Sequence, residues 1–163
     1  MDHQDVVAYI PNLRRYARAL AGDPHAADDL VQDTLERAVR KFHLWRPGDL
    51  RAWLFAIMHN VYMNQLRARP GFPAQELDDE MPGTATADSG VAMRDIERGL
   101  ATLTPEQREV VLLVTLEDFS YEQAGRALGL PIGTVMSRLS RGRERLRAYL
   151  DGEPVRTRLK VVR

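Results

Sequence analysis

The stretch Ser120–Leu150, SYEQAGRALGLPIGTVMSRLSRGRERLRAYL, reads as a short helix, a glycine turn and a longer basic helix. Ser120 followed by Gln123 has the capping-box spacing, so a helix starts at Tyr121. It can run only to Leu128, because Gly129-Leu130-Pro131 breaks it. A second helix is expected from Pro131 to about Leu150. Within it Ile132, Val135, Leu139, Gly142 and Leu146 recur at three- and four-residue spacing, a single stripe that can pack on the first helix. Gly133, Met136, Ser137, Ser140, Arg141 and Glu144 fall on the far side. This is the helix-turn-helix pattern. Small and polar groups near the helix start let it sit deep in a major groove, where Ser and Arg reach base edges or phosphates. Arg143, Arg145 and Arg147 suit backbone contacts. The competing reading is an ordinary antiparallel helix pair with an arginine-rich exposed face. The turn glycine, the cap and the one-sided arginines favour DNA.

Outward from this element the pattern stays helical. Thr104-Pro105-Glu106-Gln107 is a second capping box, ahead of Val110, Val111, Leu113 and Val114. Helical patterning begins at about Val91. Before it, residues 70–93 are rich in Pro, Gly, Ala, Thr and acids with no apolar period, and read as a linker. In the N-terminal half, Asp23-Pro24 starts a long helix carrying Ala27, Leu30, Val31, Thr34, Leu35, Ala38, Val39 and Phe42 on one face. Pro47-Gly48 marks a turn, and a further helix runs from about Leu50 with Trp53, Leu54, Ile57 and Val61 buried. An earlier helix carries Leu13, Ala17 and Leu20, with Pro11 either starting or kinking it. No strand signal occurs. The expected fold is all-α: two small helical domains, residues 1–69 and 94–151, joined by the 70–93 linker and followed by a basic tail, 152–163.

The formal net charge of the 163 residues is zero, but it is unevenly placed. Residues 70–99 hold seven acids against two bases, net −5, and residues 136–163 hold nine bases against three acids, net +6. One surface is thus suited to a polyanion and another to avoiding or imitating it, unless both are simply solvated faces. There is no cysteine, which excludes disulfides, thiolate metal sites and a cysteine nucleophile. His3, His25, His43 and His59 lack metal-ligand spacing, so no metal is expected. No phosphate-cradling glycine loop or nucleophile motif is present, so no enzyme activity, cofactor or small-molecule substrate is expected. Neither a signal-peptide pattern nor a long apolar run occurs, and a cytoplasmic protein without membrane insertion is expected.

Pro131 to Leu146, PIGTVMSRLSRGRERL, resembles region 4 of the extracytoplasmic-function (ECF) sigma factors, as do Leu103–Val110 and Phe119–Ala124 upstream. Asp28–Thr34, DDLVQDT, resembles their region 2.2, and Leu50–Asn60, LRAWLFAIMHN, their regions 2.3 to 2.4. The likeness covers nearly the whole chain in order. It implies a factor that binds core RNA polymerase, recognises the −35 and −10 elements of promoter DNA and directs initiation, commonly under an anti-sigma factor. The −35 residues would be Thr134, Met136, Ser137, Arg138, Ser140, Arg141, Arg143 and Arg145. Met136 stands where a basic residue is frequent in the family and Ser140 where a bulkier one is, which leaves the preferred −35 sequence open.

Promoter opening captures unstacked bases, which calls for amides, aromatic surfaces and a basic flank. Phe55, His59, Asn60, Tyr62 and Asn64 cluster on faces not used by Trp53, Leu54, Ile57 and Val61. By resemblance Asn60 and Asn64 lead the −10 candidates, followed by Trp45 and Arg46 in the loop, with Phe55 and His59 beside them. Phe55, Tyr62 and Trp45 can equally complete a core. Asp28, Asp29, Gln32, Asp33 and Glu36 gather on one helix side; on their own they are a solvated face, and the family reading makes them the dock for the basic clamp helices of polymerase. The acidic linker would, by the same likeness, thread toward the active-site cleft. Two rivals remain: an autonomous helix-turn-helix regulator, which would need a dimer surface, and a sigma-like decoy, which the arginine face from Arg138 to Arg147 opposes.

Overall fold

The computed structural model describes residues 3–45, 48–69 and 91–152, and among them every regular element is helical. In order these are α1 (His3–Val7), α2 (Ile10–Ala21), α3 (Pro24–Arg40), a 3-10 turn (Phe42–Leu44), α4 (Leu50–Ala68), α5 (Val91–Ala101), α6 (Pro105–Thr115), α7 (Tyr121–Leu128) and α8 (Ile132–Leu150). Residues 70–90 of the expected linker and 153–163 of the tail lie outside the described residues, and residues 91–93, read as linker, open α5.

Local chemistry sets the helix starts. Pro11 stands in the first turn of α2 and starts it rather than kinking it. Asp23 accepts from the Ala26 N–H at 3.0 Å to open α3, and Asp49 does the same for Ala52 at the head of α4. Both capping boxes are formed: Thr104 and Gln107 bond reciprocally ahead of α6, as do Ser120 and Gln123 ahead of α7. α7 closes on Gly129, whose φ of 69° and ψ of 37° is the left-handed form glycine adopts without strain. Gly125 is needed for space. A Cβ there would stand 2.8 Å from the Leu130 carbonyl, where the turn folds back.

In the N-terminal half α3 packs against α2 on one side and α4 on the other, burying Ala27, Leu30, Val31, Thr34 and Ala38. Val39, turned by about 100° from Ala38, is exposed instead of joining that face. In the C-terminal half α8 lies against α5, α6 and α7. Its stripe begins at Val135 and continues through Leu139 and Gly142, while Ile132 at the helix start is exposed.

The halves are not held apart. α4 also packs on α7 and α2 on α6, and one continuous hydrophobic cluster runs through both. α4 is therefore apolar nearly all round, burying Leu50, Ala52, Leu54, Phe55, Ile57, Met58, Val61, Tyr62 and Leu66. The Phe55 ring is edge-on to Tyr16 at 5.0 Å on one side and to Phe119 at 5.2 Å on the other.

Candidate nucleic-acid interface

The outer face of α8 presents Met136, Ser137, Ser140, Arg141, Arg143 and Glu144, all exposed, along one side of the helix. Met136 holds 49 % of its surface open, an unusual place for a methionine unless something covers it. A Cβ added at Gly133 would meet nothing within 4 Å, so the start of α8 is sterically clear for a close approach. Thr134, Arg138 and Arg145 are half-buried. Arg145 turns inward, its Nη1 donating to Gln107 Oε1 at 3.5 Å, and so braces α8 on the cap of α6. Behind the face, Gly142 lets α8 close on α6, since a Cβ there would come within 2.7 Å of Val111.

The expected −10 residues separate into two sets. Asn60 and Asn64 are exposed on neighbouring turns of α4, with Arg67 donating to Asn64 Oδ1 at 3.1 Å. Trp45 is half-buried and stacked on Phe42, ring centroids 6.4 Å apart, and Trp53 leans on the same ring. Arg46 lies outside the described residues. Phe55 corrects the sequence reading: it is 2 % exposed because α4 is covered on two sides, and a base cannot reach it in this arrangement. Tyr62 is likewise core, and its burial pushes the phenol up to about 12.

His59 is engaged rather than open. Its Nδ1 lies 2.7 Å from Glu109 Oε2 on α6, a carboxylate that is itself 1 % exposed. Burial opposes charge on the ring, but the bond and the field of Glu109 outweigh it and raise the imidazole pKa. Burial also lifts the Glu109 carboxyl, against the pull of His59, Arg138 and Arg108.

The acidic face of α3 stands clear. Asp28, Asp29, Gln32, Asp33 and Glu36 are all exposed, and Gln65 donates to Asp33 at 3.1 Å.

Several polar residues that join the halves escaped the sequence reading. Glu117, whose side chain is fully buried, accepts from Asn12 at 3.3 Å and from Arg15 at 3.3 and 3.1 Å. Its carbonyl accepts from Arg51, whose guanidinium lies 4.4 Å over the Phe119 ring. Asp49, besides capping α4, accepts from Gln123 of α7 at 2.9 Å. Burial works against charge on Asp49, but the bonds from Ala52 and Gln123 keep its carboxyl below the usual range. Arg108 donates to the Leu20, Leu100 and Leu103 carbonyls and so ties the end of α2 to the α5–α6 turn. The signal for these contacts was faint: an acid at Glu109 directly ahead of the apolar run Val110–Val114, and the acid pair Glu117-Asp118 directly after Leu116.

No group of three His, Cys, Asp or Glu among the described residues is placed to hold a metal, and no helix among them is long and apolar enough to cross a membrane.

Residues 6–59 match the Sigma2 domain of PhyR, and residues 93–146 match Sigma-70, region 4. The chain is 36 % identical over 155 residues to the ECF RNA polymerase sigma factor EcfG of Rhodopseudomonas palustris, covering 91 % of this chain and 85 % of that protein. Among solved structures, the sigma factor RpoE of Bartonella quintana, in complex with the anti-sigma factor NepR, is similar with a TM-score of 0.75 at 32 % identity, covering 93 % of this chain and 97 % of that one. CnrH, in complex with the cytosolic domain of CnrY, has a TM-score of 0.70 at 28 % identity and covers 93 % of this chain and 88 % of that one. With a capped helix-turn-helix at one end, an amide-bearing helix at the other and relatives matching both halves in order, the chain belongs to the ECF RNA polymerase sigma factors.

Proposed function

We propose that this sigma factor brings core RNA polymerase to its promoters through three separate surfaces. The exposed face of α8, with Met136, Ser137, Ser140, Arg141 and Arg143, reads the −35 element in the major groove, with Thr134, Arg138 and Arg145 holding its flanks. Asn60 and Asn64 on α4 read the unstacked bases of the −10 element, each amide offering donors and an acceptor to a base edge; Trp45, Arg46 and His59 serve the same element. The acidic face of α3, from Asp28 to Glu36, docks on basic helices of the polymerase.

The observation that carries this reading is the contrast on one chain between an exposed, arginine-bearing face on α8, which follows the capped α7 and its glycine turn, and an exposed amide pair on α4. A single duplex-binding module needs only the first. The likeness to a sigma factor solved with an anti-sigma factor supports a similar protein partner here, and action beside polymerase supports a cytoplasmic site.

The test is run-off transcription from a defined promoter with the purified chain and core polymerase. Initiation that requires both supports the proposal. Promoter binding that is the same with and without core enzyme identifies an autonomous regulator instead.

A further inference from the structure

Two large apolar side chains stand in the open at the start of α8. Ile132 is 42 % exposed and Met136 49 %. They are four residues apart, so they occupy successive turns of one side of the helix. A helical side chain leans back over the preceding turn, which carries the Met136 thioether toward Ile132 and the helix start. Beside them a Cβ added at Gly133 would meet nothing within 4 Å. The helix opens on Pro131, which makes no side-chain cap, and its first turn holds no acid. The cations come later, at exposed Arg141 and Arg143. One end of the face is thus apolar and uncluttered, and the other is positive.

Neither a solvated face nor a packing seam accounts for that order. A solvated helix start would carry polar groups. The seam behind it is complete without the pair, since it begins at Val135 and runs through Leu139 and Gly142. A recognition helix in the major groove meets base edges with its N-terminal residues. Of the groups that base pairs show there, only the C5 methyl of thymine is apolar. Isoleucine makes no hydrogen bond and methionine offers only a weak acceptor, so neither can read the polar edges of guanine, adenine or cytosine.

Resting on the reading of α8 as the −35 face, we propose that Ile132 and Met136 select one or two thymines of the −35 element by apolar contact with the C5 methyl. Methionine suits the task, because its unbranched thioether chain adapts to the position of the methyl. Arg141 and Arg143 on the following turns supply the attraction to a polyanion, which favours DNA over an apolar protein partner for this surface.

The test uses holoenzyme of the full chain with core polymerase. A promoter pool randomised across the −35 element is selected for transcription. Thymines fixed by the selection are then replaced one at a time by deoxyuridine, which keeps the pairing and removes only the methyl. For the parent, at least one such exchange should weaken promoter binding about fourfold, the scale of one methyl-sized group taken from water. That penalty should vanish in Met136→Ala or Ile132→Ala and persist in Arg141→Ala, which weakens binding to thymine and uracil promoters alike. Both apolar positions are exposed and alanine is the better helix former, so melting curves should be unchanged. Met136→Arg should shift the selected base toward guanine, whose O6 and N7 accept from a guanidinium. A selection that fixes no thymine, or uracil exchange without effect in the parent, overturns the methyl contact and leaves the pair as a surface for a protein. A penalty that survives in both alanine variants overturns it too. If Arg141→Ala still weakens binding in these cases, the −35 reading of α8 stands without the methyl contact. If replacing the whole −35 element leaves parent binding unchanged, that reading falls and the proposal with it.

Discussion

At the scale of single residues, the two asparagines on α4 make the sharpest distinction between binding a promoter and opening it. Asn60→Ala/Asn64→Ala removes base-reading groups, adds no clash and puts the better helix former at exposed positions, so Tm should hold. Holoenzyme with this variant should still bind duplex promoter but lose permanganate reactivity of the −10 thymines. A lowered melting curve with normal opening would make the asparagines structural. On α8, Arg141→Ala and Arg143→Ala should each weaken holoenzyme binding and flatten the dependence of log K on log salt by about one unit per lost phosphate contact. Glu144→Ala on the same face should not weaken it. The exposed face of α8 was readable from the sequence because it lies opposite a clear apolar stripe, whereas Asn60 and Asn64 were singled out by family resemblance on a helix that is apolar nearly all round. Phe55 was placed among the −10 candidates, with a core role left open, because a helix buried on two sides looks, in a periodic reading, like one buried face with aromatics to spare. Glu109 and Glu117 carried only a faint local sign of their role, since their partners lie 50 and more than 100 residues away.

At the scale of elements, position depends on a few backbone clearances. Gly125→Ala would press its methyl on the Leu130 carbonyl, and backbone in a tight turn cannot give way as a side chain can. The turn must shift, at a cost of about 1–3 kcal/mol typical of overpacking, and α8 shifts with it. Tm should fall by about 2–4 °C per kcal/mol for a chain of this size, and −35 binding should weaken although no DNA-facing group has changed. Normal binding at full stability would show that the turn absorbs the methyl. The α3 face supplies the opposite case. Asp29→Lys/Asp33→Lys should abolish co-purification with core polymerase while leaving the helical circular dichroism intact, because exposed charges contribute little to folding. Retained co-purification would move the dock elsewhere. Element boundaries were legible wherever a cap announced them, at Asp23, Thr104, Ser120 and Gly129. They were least legible at residues 91–93, where the apolar period of α5 runs on from a stretch that otherwise reads as linker.

At the scale of the whole molecule, the sequence pointed to two units and a tether but not to their direct packing, which depends on pairs that no window along the chain brings together. One of those pairs makes the packing sensitive to pH. Glu109 and His59 come from the two halves and meet only when these are packed together, the closed form, and each group has its pKa raised there, His59 by the carboxylate and Glu109 by burial. Whichever of the two holds the proton, the closed form binds more protons than the open one, so the linkage has a single sign. The stabilisation is fully present below the ordinary His value of 6.5 and is lost as pH rises through the raised value. The surrounding groups do not reverse this. Glu106 of α6 adds to the upward push on His59, Arg67 of α4 opposes it, and Arg138 of α8 and Arg108 of α6 act on Glu109 against its burial. Tyr16 and Tyr62, which also feel Glu109, are both pushed upward and stay protonated near neutrality. In the full chain carrying a donor and an acceptor dye at His25→Cys and Asp151→Cys, energy transfer should therefore be highest below the ordinary histidine value of 6.5 and fall as the pH rises through the raised value. Glu109→Gln keeps a polar partner for the ring but removes the charge that raises its pKa, so its curve should start lower and run flat. A flat curve in the parent, or an equal slope in Glu109→Gln, would assign the titration to another group and leave the closed form held by Glu117 and Phe119 alone.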